Sequence, residues 1–114
     1  MTLITEAHRV AMLANGQRFA LEPAFDPVPV VKISAPFGRE TWLLWSLETE
    51  DPDTAWGLYD FGFGTPDLGT VRIFELEAFI LPFWLWFERD LSFTPSKTIG
   101  QCAEEARLRS CILA

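Results

Sequence analysis

The feature that most constrains this chain is a run of ten residues, 78–87, in which Pro82 is the only residue that is not hydrophobic. A membrane-spanning helix needs about 20 apolar residues, so this run is too short to cross a bilayer. Helical spacing from Phe74 onward places apolar side chains on two stripes, whereas a helix that packs on one sheet buries a single stripe. We therefore expect a helix from about 74 to 81, a break at Pro82, and an aromatic face left exposed.

The chain before this run has the composition of several short strands. The β-branched, apolar and aromatic segments lie at residues 28–34, 41–47, 56–61 and 68–73. Glycine- and proline-containing turns separate them, and Gly62 and Gly64 are expected to adopt positive φ in one such turn. A further short edge strand is expected at 88–93, with Leu91 and Phe93 pointing inward. This pattern predicts an antiparallel meander of four to five strands.

Helical patterns flank the predicted sheet. Apolar residues near the N-terminus have helical spacing, and Asn15-Gly16 is typical of a helix stop, so a short N-terminal helix is expected. Prolines within 22–30 keep the next segment extended. A final helix is expected from about 97 to 109, with these residues facing the core: Ile99, Cys102, Ala103, Ala106 and Leu108.

These elements together predict an α+β fold in a single domain, 1–114. It contains a four- to five-stranded antiparallel meander, an N-terminal helix, a mid-chain helix at about 74–81 and a C-terminal helix. The length of 114 residues is that of one compact domain, and the absence of repeats or linkers agrees with this interpretation.

The net charge and the N-terminal sequence indicate which partners and which cellular location to expect. Sixteen acidic and nine basic side chains give a net charge of -7, which is the wrong sign for direct nucleic-acid binding. The N-terminus lacks the basic start and long apolar stretch of a signal peptide, so we expect a cytoplasmic protein that is not bound to membranes. Cys102 and Cys111 have neither metal-site nor disulfide-scaffold spacing and are interpreted as ordinary thiols.

Several motifs occur in an order that resembles a known family. They are Leu13-Ala14-Asn15-Gly16, Asp26-Pro27, Val30-Val31-Lys32, Thr41-Trp42-Leu43-Leu44, Gly57-Leu58, Gly62-Phe63-Gly64, Leu68-Gly69, Glu75-Leu76-Glu77 and Glu88-Arg89-Asp90-Leu91. The family consists of small bacterial proteins that share a domain of unknown function and are frequent on conjugative plasmids and integrative elements. The resemblance covers nearly the whole chain, from about residue 3 to residue 106.

The resemblance implies a single α+β domain and a mobile-element origin. It brings no reaction, cofactor or catalytic residue to these positions. The family has a loop with glycine, proline and arginine between the positions of Glu77 and Glu88, where this chain is aromatic, although Pro82 remains at the family's first proline. Such a concentration of apolar replacements is typical of an interface, either redesigned for a target or diverged toward a host protein.

We therefore predict a non-enzymatic protein-binding module, a binder or inhibitor of a target protein, that uses the aromatic segment as its contact surface. Large aromatic side chains dominate interface hot spots. The predicted partner-binding residues are Phe79, Ile80, Phe83, Trp84, Trp86 and Phe87. Without a partner, the same patch favours self-association. The alternative interpretation, which stays open, is that the whole segment is core.

Two other functions stay open as well. The acidic residues Glu48, Glu50, Asp51 and Asp53 could imitate a phosphate backbone in an anti-defence protein that inhibits a restriction or CRISPR nuclease, although a solvated turn is the favoured interpretation of them. A small metal-dependent hydrolase would need a carboxylate pair, and its candidates are Asp60, Asp67, Glu75, Glu77, Glu88 and Asp90. The single histidine, His8, has no second ligand at metal-site spacing, and no catalytic residue, metal or cofactor is predicted.

Overall fold

The computed structural model describes residues 2–81 and 85–112. The helices are α1 (Glu6–Leu21), α2 (Ile73–Ala78) and α3 (Ile99–Arg109). The strands are β1 (Val31–Ser34), β2 (Thr41–Leu47), β3 (Thr54–Asp60), β4 (Asp67–Arg72), β5 (Ile80–Leu81), β6 (Leu85–Trp86) and β7 (Glu88–Arg89). The predicted α+β class is confirmed.

Five strands form an antiparallel sheet in the order β4-β3-β2-β1-β7. The first four therefore follow one another as a meander, and the short strand β7 returns to the far edge beside β1. The predicted hairpin of 28–34 with 41–47 is confirmed in β1 and β2, but β1 begins only at Val31. Pro27 and Pro29 lack the amide hydrogen that a sheet ladder needs, so the chain before Val31 stays outside the strand. Strands β5 and β6 form a separate two-stranded hairpin.

Both faces of the sheet are covered, which makes β2 a buried central strand. On one face, side chains of α1, α2 and β5 pack with Leu44 and Ile33; we call this the α1 face. On the other face, α3 packs against Leu43 and Leu58; we call this the α3 face. Successive side chains of a strand point to opposite faces, so residues of the sheet alternate between these two cores.

Helix α1 does not stop at Asn15-Gly16 as predicted but continues to Leu21. A β-bulge between Leu44 and Ser46 frees the carbonyl of Trp45, and the Asn15 Nδ2 atom donates a hydrogen bond to that oxygen at 2.7 Å. Gly16 faces the same strand at close range. The pair therefore docks the helix on β2 and does not end it.

The mid-chain helix is also shorter than predicted, because α2 ends at Ala78 and not near residue 81. Phe79 has extended angles of φ -73° and ψ 126°, and the next two residues form β5. A residue before proline is biased toward extended backbone, which favours a strand at Leu81. Beyond the break expected at Pro82, Leu85 and Trp86 form the strand β6.

Of the residues predicted to point inward near the C-terminal end, one of the three discussed first is packed in the core and two are exposed. Phe93 packs against the α3 face, but Leu91 and Leu108 are 86% and 79% exposed, so their predicted inward orientation is wrong. The exposure of Leu91 follows from a turn after β7. The Oδ1 atom of Asp90 accepts hydrogen bonds from the Ser92 amide and hydroxyl and so stabilises this turn. The other predicted inward residues of α3 are confirmed as buried: Ile99, Cys102, Ala103 and Ala106.

Candidate functional site

An open apolar cavity of about 520 Å³ lies on the α1 face; we call it the aromatic cleft. Sheet, helix and hairpin all contribute to its lining, together with the connection between β3 and β4. The lining residues are Glu40, Trp42, Phe61, Phe63, Val71, Glu75, Leu76, Phe79, Leu81 and Phe87.

Aromatic rings laid over glycines form the sheet side of the aromatic cleft. The rings of Trp42 and Tyr59 lie 4.9 Å apart between centroids. A Cβ atom on Gly57 would lie 2.8 Å from Cε3 of Trp42, and one on Gly69 would lie 3.0 Å from Cε1 of Tyr59. Gly57 therefore leaves room for the Trp42 ring in the cleft wall, and Gly69 leaves room for the Tyr59 ring that packs on Trp42.

The connection after β3 supplies a second wall. Asp60 is buried, and its Oδ1 atom accepts a hydrogen bond from the Gly62 amide at 2.8 Å. Gly62 and Gly64 have φ values of 85° and 77°, which confirms the predicted turn of positive φ. This turn holds Phe61 against Trp42, with ring centroids 6.0 Å apart, and leaves Phe63 83% exposed.

The predicted aromatic segment forms the opposite wall. The rings of Phe79 and Phe87 are 5.8 Å apart between centroids, in a tilted arrangement. Phe79 is 55% exposed, whereas Phe87 is only 5% exposed. Phe87 therefore supports Phe79 from the core side and does not offer a free surface of its own.

Next to the aromatic cleft, the hairpin of β5 and β6 exposes a second apolar surface. Ile80 pairs with Trp86 across the two strands, and both side chains are exposed; we call these two residues the hairpin patch. Leu81 and Leu85 form the other cross-strand pair and pack toward the α1 face. The alternation of the strands thus divides this apolar run into a core side and a solvent side.

The six predicted partner-binding residues are only partly brought together. Phe79, Ile80 and Trp86 are exposed on neighbouring surfaces, Phe87 is buried beneath Phe79, and Phe83 and Trp84 lie outside the described residues. The prediction missed the residues from the sheet and the β3–β4 connection, Trp42, Phe61 and Phe63. The aromatic residue between Gly62 and Gly64 was a usable signal, because a large apolar side chain in a tight glycine turn is held at the surface.

A second, smaller apolar cavity of about 300 Å³ lies on the α3 face; we call it the Trp56 cavity. Trp45 and Trp56 contribute rings whose centroids are 6.3 Å apart. Leu68 of β4 also lines it and is 45% exposed. The remaining lining residues are Phe19, Phe25, Asp26, Ser46, Ile99 and Gly100.

The acidic cluster of the sequence is tied into the turn between β2 and β3. Asp51 accepts a hydrogen bond from the Thr54 hydroxyl at 2.8 Å, which lowers the pKa of its carboxyl group. Asp53 forms an ion pair with Arg72 at 3.2 Å and accepts the Phe74 amide at the start of α2. These carboxylates therefore stabilise the turn and its contact with β4 and α2, whatever else they do.

Some of the other candidate acidic residues have structural partners too. Glu77 accepts the backbone amide of Leu3 at 2.8 Å, and hydrogen bonds from Ser92 lower the pKa of Asp90. Across residues 2–81 and 85–112, no three His, Cys, Asp or Glu side chains are grouped so that they could hold a metal ion. His8 accepts the Thr5 amide through Nδ1 and completes a helix cap.

No curated protein and no solved structure gives a significant match. In the part of the chain that the structure describes, no helix is long and apolar enough to cross a membrane. Residues 3–113 match the family described as protein of unknown function DUF2958. Because the match spans nearly the whole length, the chain belongs to the DUF2958 family.

Proposed function

We propose that this protein is a non-enzymatic protein-binding module that contacts its partner through the hairpin patch and the rim of the aromatic cleft. The observation that supports this proposal is a group of exposed large apolar side chains around one open apolar cavity. Phe63, Phe79, Ile80 and Trp86 are 43–83% exposed there. Monomeric proteins rarely leave such contiguous patches uncovered unless they use them.

The chemistry of the site fits a protein partner with an apolar anchor. Tryptophan and other aromatic residues contribute most to the affinity of interfaces when they fill pockets of the partner or receive its side chains. The aromatic cleft could receive one large side chain, while Trp86 and Ile80 offer a flat apolar surface beside it. The two charged residues in the lining, Glu40 and Glu75, are both acidic, which favours a basic group next to the partner's apolar anchor.

One interpretation of origin and two alternative functions from the sequence stand beside this proposal. A mobile-element origin, as the family resemblance implies, would suit a binder of a host protein. An anti-defence inhibitor would instead use the acidic turn between β2 and β3, with Glu48, Glu50, Asp51 and Asp53 as its contacts. A metal-dependent hydrolase built on Glu88 and Asp90 would require bound metal in the purified protein, which elemental analysis measures directly.

Site-specific photo-crosslinking tests the proposed contact surface. A benzophenone amino acid in place of Trp86 should capture one partner in cells, and the purified pair should then form a complex. The double variant Phe79→Ala, Trp86→Ala should weaken that complex by about 2 kcal/mol or more, since it truncates two central aromatic residues.

Phe74→Ala is the matched control, because Phe74 is 69% exposed in α2 but does not line the cleft. This control should retain affinity. Both variants should keep the melting temperature of the parent protein within a few degrees. Unfolding of the Phe79, Trp86 double variant would instead assign the segment to the core, and equal loss of affinity in the Phe74 control would contradict the proposed surface.

A further inference from the structure

Within residues 2–81 and 85–112, no strand pairs with the outer edge of β4. The backbone amide of Ile73, just after β4, donates a hydrogen bond of 2.9 Å to the carbonyl oxygen of Asp53, just before β3. Backbone groups of alternate residues in a strand point the same way, so Gly69 and Val71 also bond to β3. The amide of Leu68 points the other way and is satisfied by the Asp67 side chain at 2.8 Å. Thr70 and Arg72 share the direction of Leu68. Their backbone N–H and C=O groups therefore face away from the sheet.

Between its charged end residues, Asp67 and Arg72, this edge lacks the devices with which proteins usually guard exposed strands. Strand β4 is six residues long, without lysine or proline between Asp67 and Arg72, whereas the opposite edge strand β7 has two residues. The one basic side chain, Arg72, is held in an ion pair with Asp53. The edge is therefore long enough and open enough to pair with another strand.

Both apolar cavities reach this same strand from opposite faces. Val71 of β4 lines the aromatic cleft on the α1 face, and Leu68 lines the Trp56 cavity on the α3 face. A strand added at about 4.8 Å from β4 would place successive side chains alternately above and below the sheet. Directly opposed side chains on neighbouring strands have Cβ atoms about 5 Å apart, so alternate residues of the added strand would contact the two cavities.

We propose that β4 accepts an extended segment of a partner protein as an additional strand, with its alternate large apolar side chains in the aromatic cleft and in the Trp56 cavity. The role given to the aromatic cleft rests on the function proposed above; the role of the edge and of the Trp56 cavity is new. Peptide recognition by strand addition derives affinity from backbone hydrogen bonds and specificity from pockets for alternate side chains.

Charge identifies the kind of segment that fits. Acidic residues line both cavities, Glu40 and Glu75 in one and Asp26 in the other, and Asp67 lies at the start of β4. The net charge of -7 opposes association of two copies and favours a basic partner. The partner segment is therefore extended, apolar at its centre and flanked by lysine or arginine.

A synthetic peptide with phenylalanine and valine at its centre and lysine at both ends is the probe. Amide hydrogen exchange of the full chain is measured with and without it. At a peptide concentration of about ten times the dissociation constant, amide exchange at Thr70 and Arg72 should slow by about tenfold. The reason is that these amides exchange only in the free protein, which is then about a tenth of the total. The amides of Gly69 and Val71 already bond to β3 and should change little.

The control is the same peptide N-methylated throughout its central residues, which cannot pair with β4 but carries the same side chains. Loss of binding on methylation supports strand addition. Equal binding of both peptides, without protection at Thr70 and Arg72, overturns strand addition and leaves a cleft that binds side chains only. Failure of the unmethylated peptide to bind at about 1 mM also overturns it, while the Trp86 crosslinking experiment still decides the proposed function separately.

A second copy of the chain is the other occupant that the experiment detects. If Thr70 and Arg72 become protected without any peptide as the protein concentration rises, β4 pairs with itself. The proposal of a basic partner segment is then wrong.

Discussion

Gly16 is a close contact point between α1 and the sheet. A Cβ atom at this position would lie 2.1 Å from the carbonyl oxygen of Leu47. Replacing a helical glycine by alanine ordinarily stabilises a helix by about 1 kcal/mol. We expect the opposite sign for Gly16→Ala, a loss of about 1–3 kcal/mol in the free energy of unfolding, because the helix must move away from β2.

Urea denaturation measures this loss, with Gln17→Ala as the matched control. Gln17 is exposed on the same turn of α1, so its substitution should be neutral or slightly stabilising. A Gly16→Ala protein as stable as the parent would mean that α1 does not approach β2 so closely.

The same residue shows why one sequence prediction was wrong. Asn-Gly is typical of a helix end because both residues tolerate left-handed backbone. In this protein the pair is used for a contact with β2, some 30 residues away along the chain. Local composition carries no information about such a partner, and tertiary contacts therefore decided where α1 ends.

At the scale of the helix, the first turn of α1 depends on a neutral histidine. Thr5 and His8 form a reciprocal cap in which the Thr5 hydroxyl accepts the His8 amide and His8 Nδ1 accepts the Thr5 amide. Burial, with a smaller contribution from Arg89, lowers the pKa of His8 below its usual value of 6.5. Protonation removes the acceptor and places a positive charge at a helix N-terminus.

The pH dependence of stability follows from this shift. Because the unfolded chain binds the proton more tightly than the folded one, the contribution of His8 is complete above its unfolded pKa of 6.5 and is lost as the pH falls through the lower folded pKa. Between about pH 7.5 and pH 5, the free energy of unfolding should decrease by up to about 1 kcal/mol, the usual value of a helix cap.

His8→Gln is the control variant, since Gln101 already fills the equivalent position in the cap of α3. A glutamine does not titrate, so the variant should show a flatter profile in thermal or urea unfolding over this range. A parent profile as flat as that of the variant would contradict the proposed role of neutral His8.

At the scale of strands and helices, the sequence predicted most of the sheet. The limits of β2 agree with the predicted 41–47, because a dense apolar and aromatic segment between polar turns has little freedom in its boundaries. The hairpin of β5 and β6 was not predicted. Each of its strands has only two residues, which is too short for a sequence pattern to distinguish a strand from the helix before it.

At the scale of the whole molecule, the candidate site was predicted only where it is contiguous in sequence. Phe79, Ile80 and Trp86 come from one apolar run, whereas Trp42 reaches the aromatic cleft through the register of the sheet and Phe61 through the connection after β3. Which face a sheet residue occupies changes with a shift of one position, and the bulge in β2 introduces such a shift. Sequence periodicity therefore could not predict which residues line this cavity.

Tryptophan fluorescence distinguishes the core from the surface. Trp42 and Trp45 are 5% and 9% exposed, while Trp56 and Trp86 are 38% and 43% exposed. We expect part of the emission to be red-shifted and quenched by acrylamide, a neutral quencher that the acidic surface does not repel. Trp86→Phe should reduce this quenchable component, and Trp42→Phe should mainly reduce the blue-shifted one. Loss of only blue-shifted emission from Trp86→Phe would mean that the hairpin patch is buried in solution.

The salt dependence of partner binding separates the apolar surface from the acidic turn. With the crosslinked partner identified, titration calorimetry at about 0.1 M and about 1 M salt spans Debye lengths from about 10 Å to about 3 Å. Binding through the hairpin patch and aromatic cleft should persist at the higher salt, because burial of apolar surface is not screened. An inhibitor that imitates nucleic acid should lose most of its affinity under the same conditions, since its contacts are charge pairs.

Two charge reversals show which acidic region of the protein contributes to partner affinity through its charge. Glu75→Lys changes a carboxylate that lines the aromatic cleft, and Glu50→Lys changes an exposed one in the acidic turn. For an apolar segment with basic flanks, Glu75→Lys should weaken binding at low salt by about 1 kcal/mol, and the difference should shrink at high salt. Glu50→Lys should have the smaller effect. If Glu50→Lys weakened binding more than Glu75→Lys did, and affinity were lost at high salt, the partner would bind the acidic turn. The aromatic segment would then serve only to stabilise the fold.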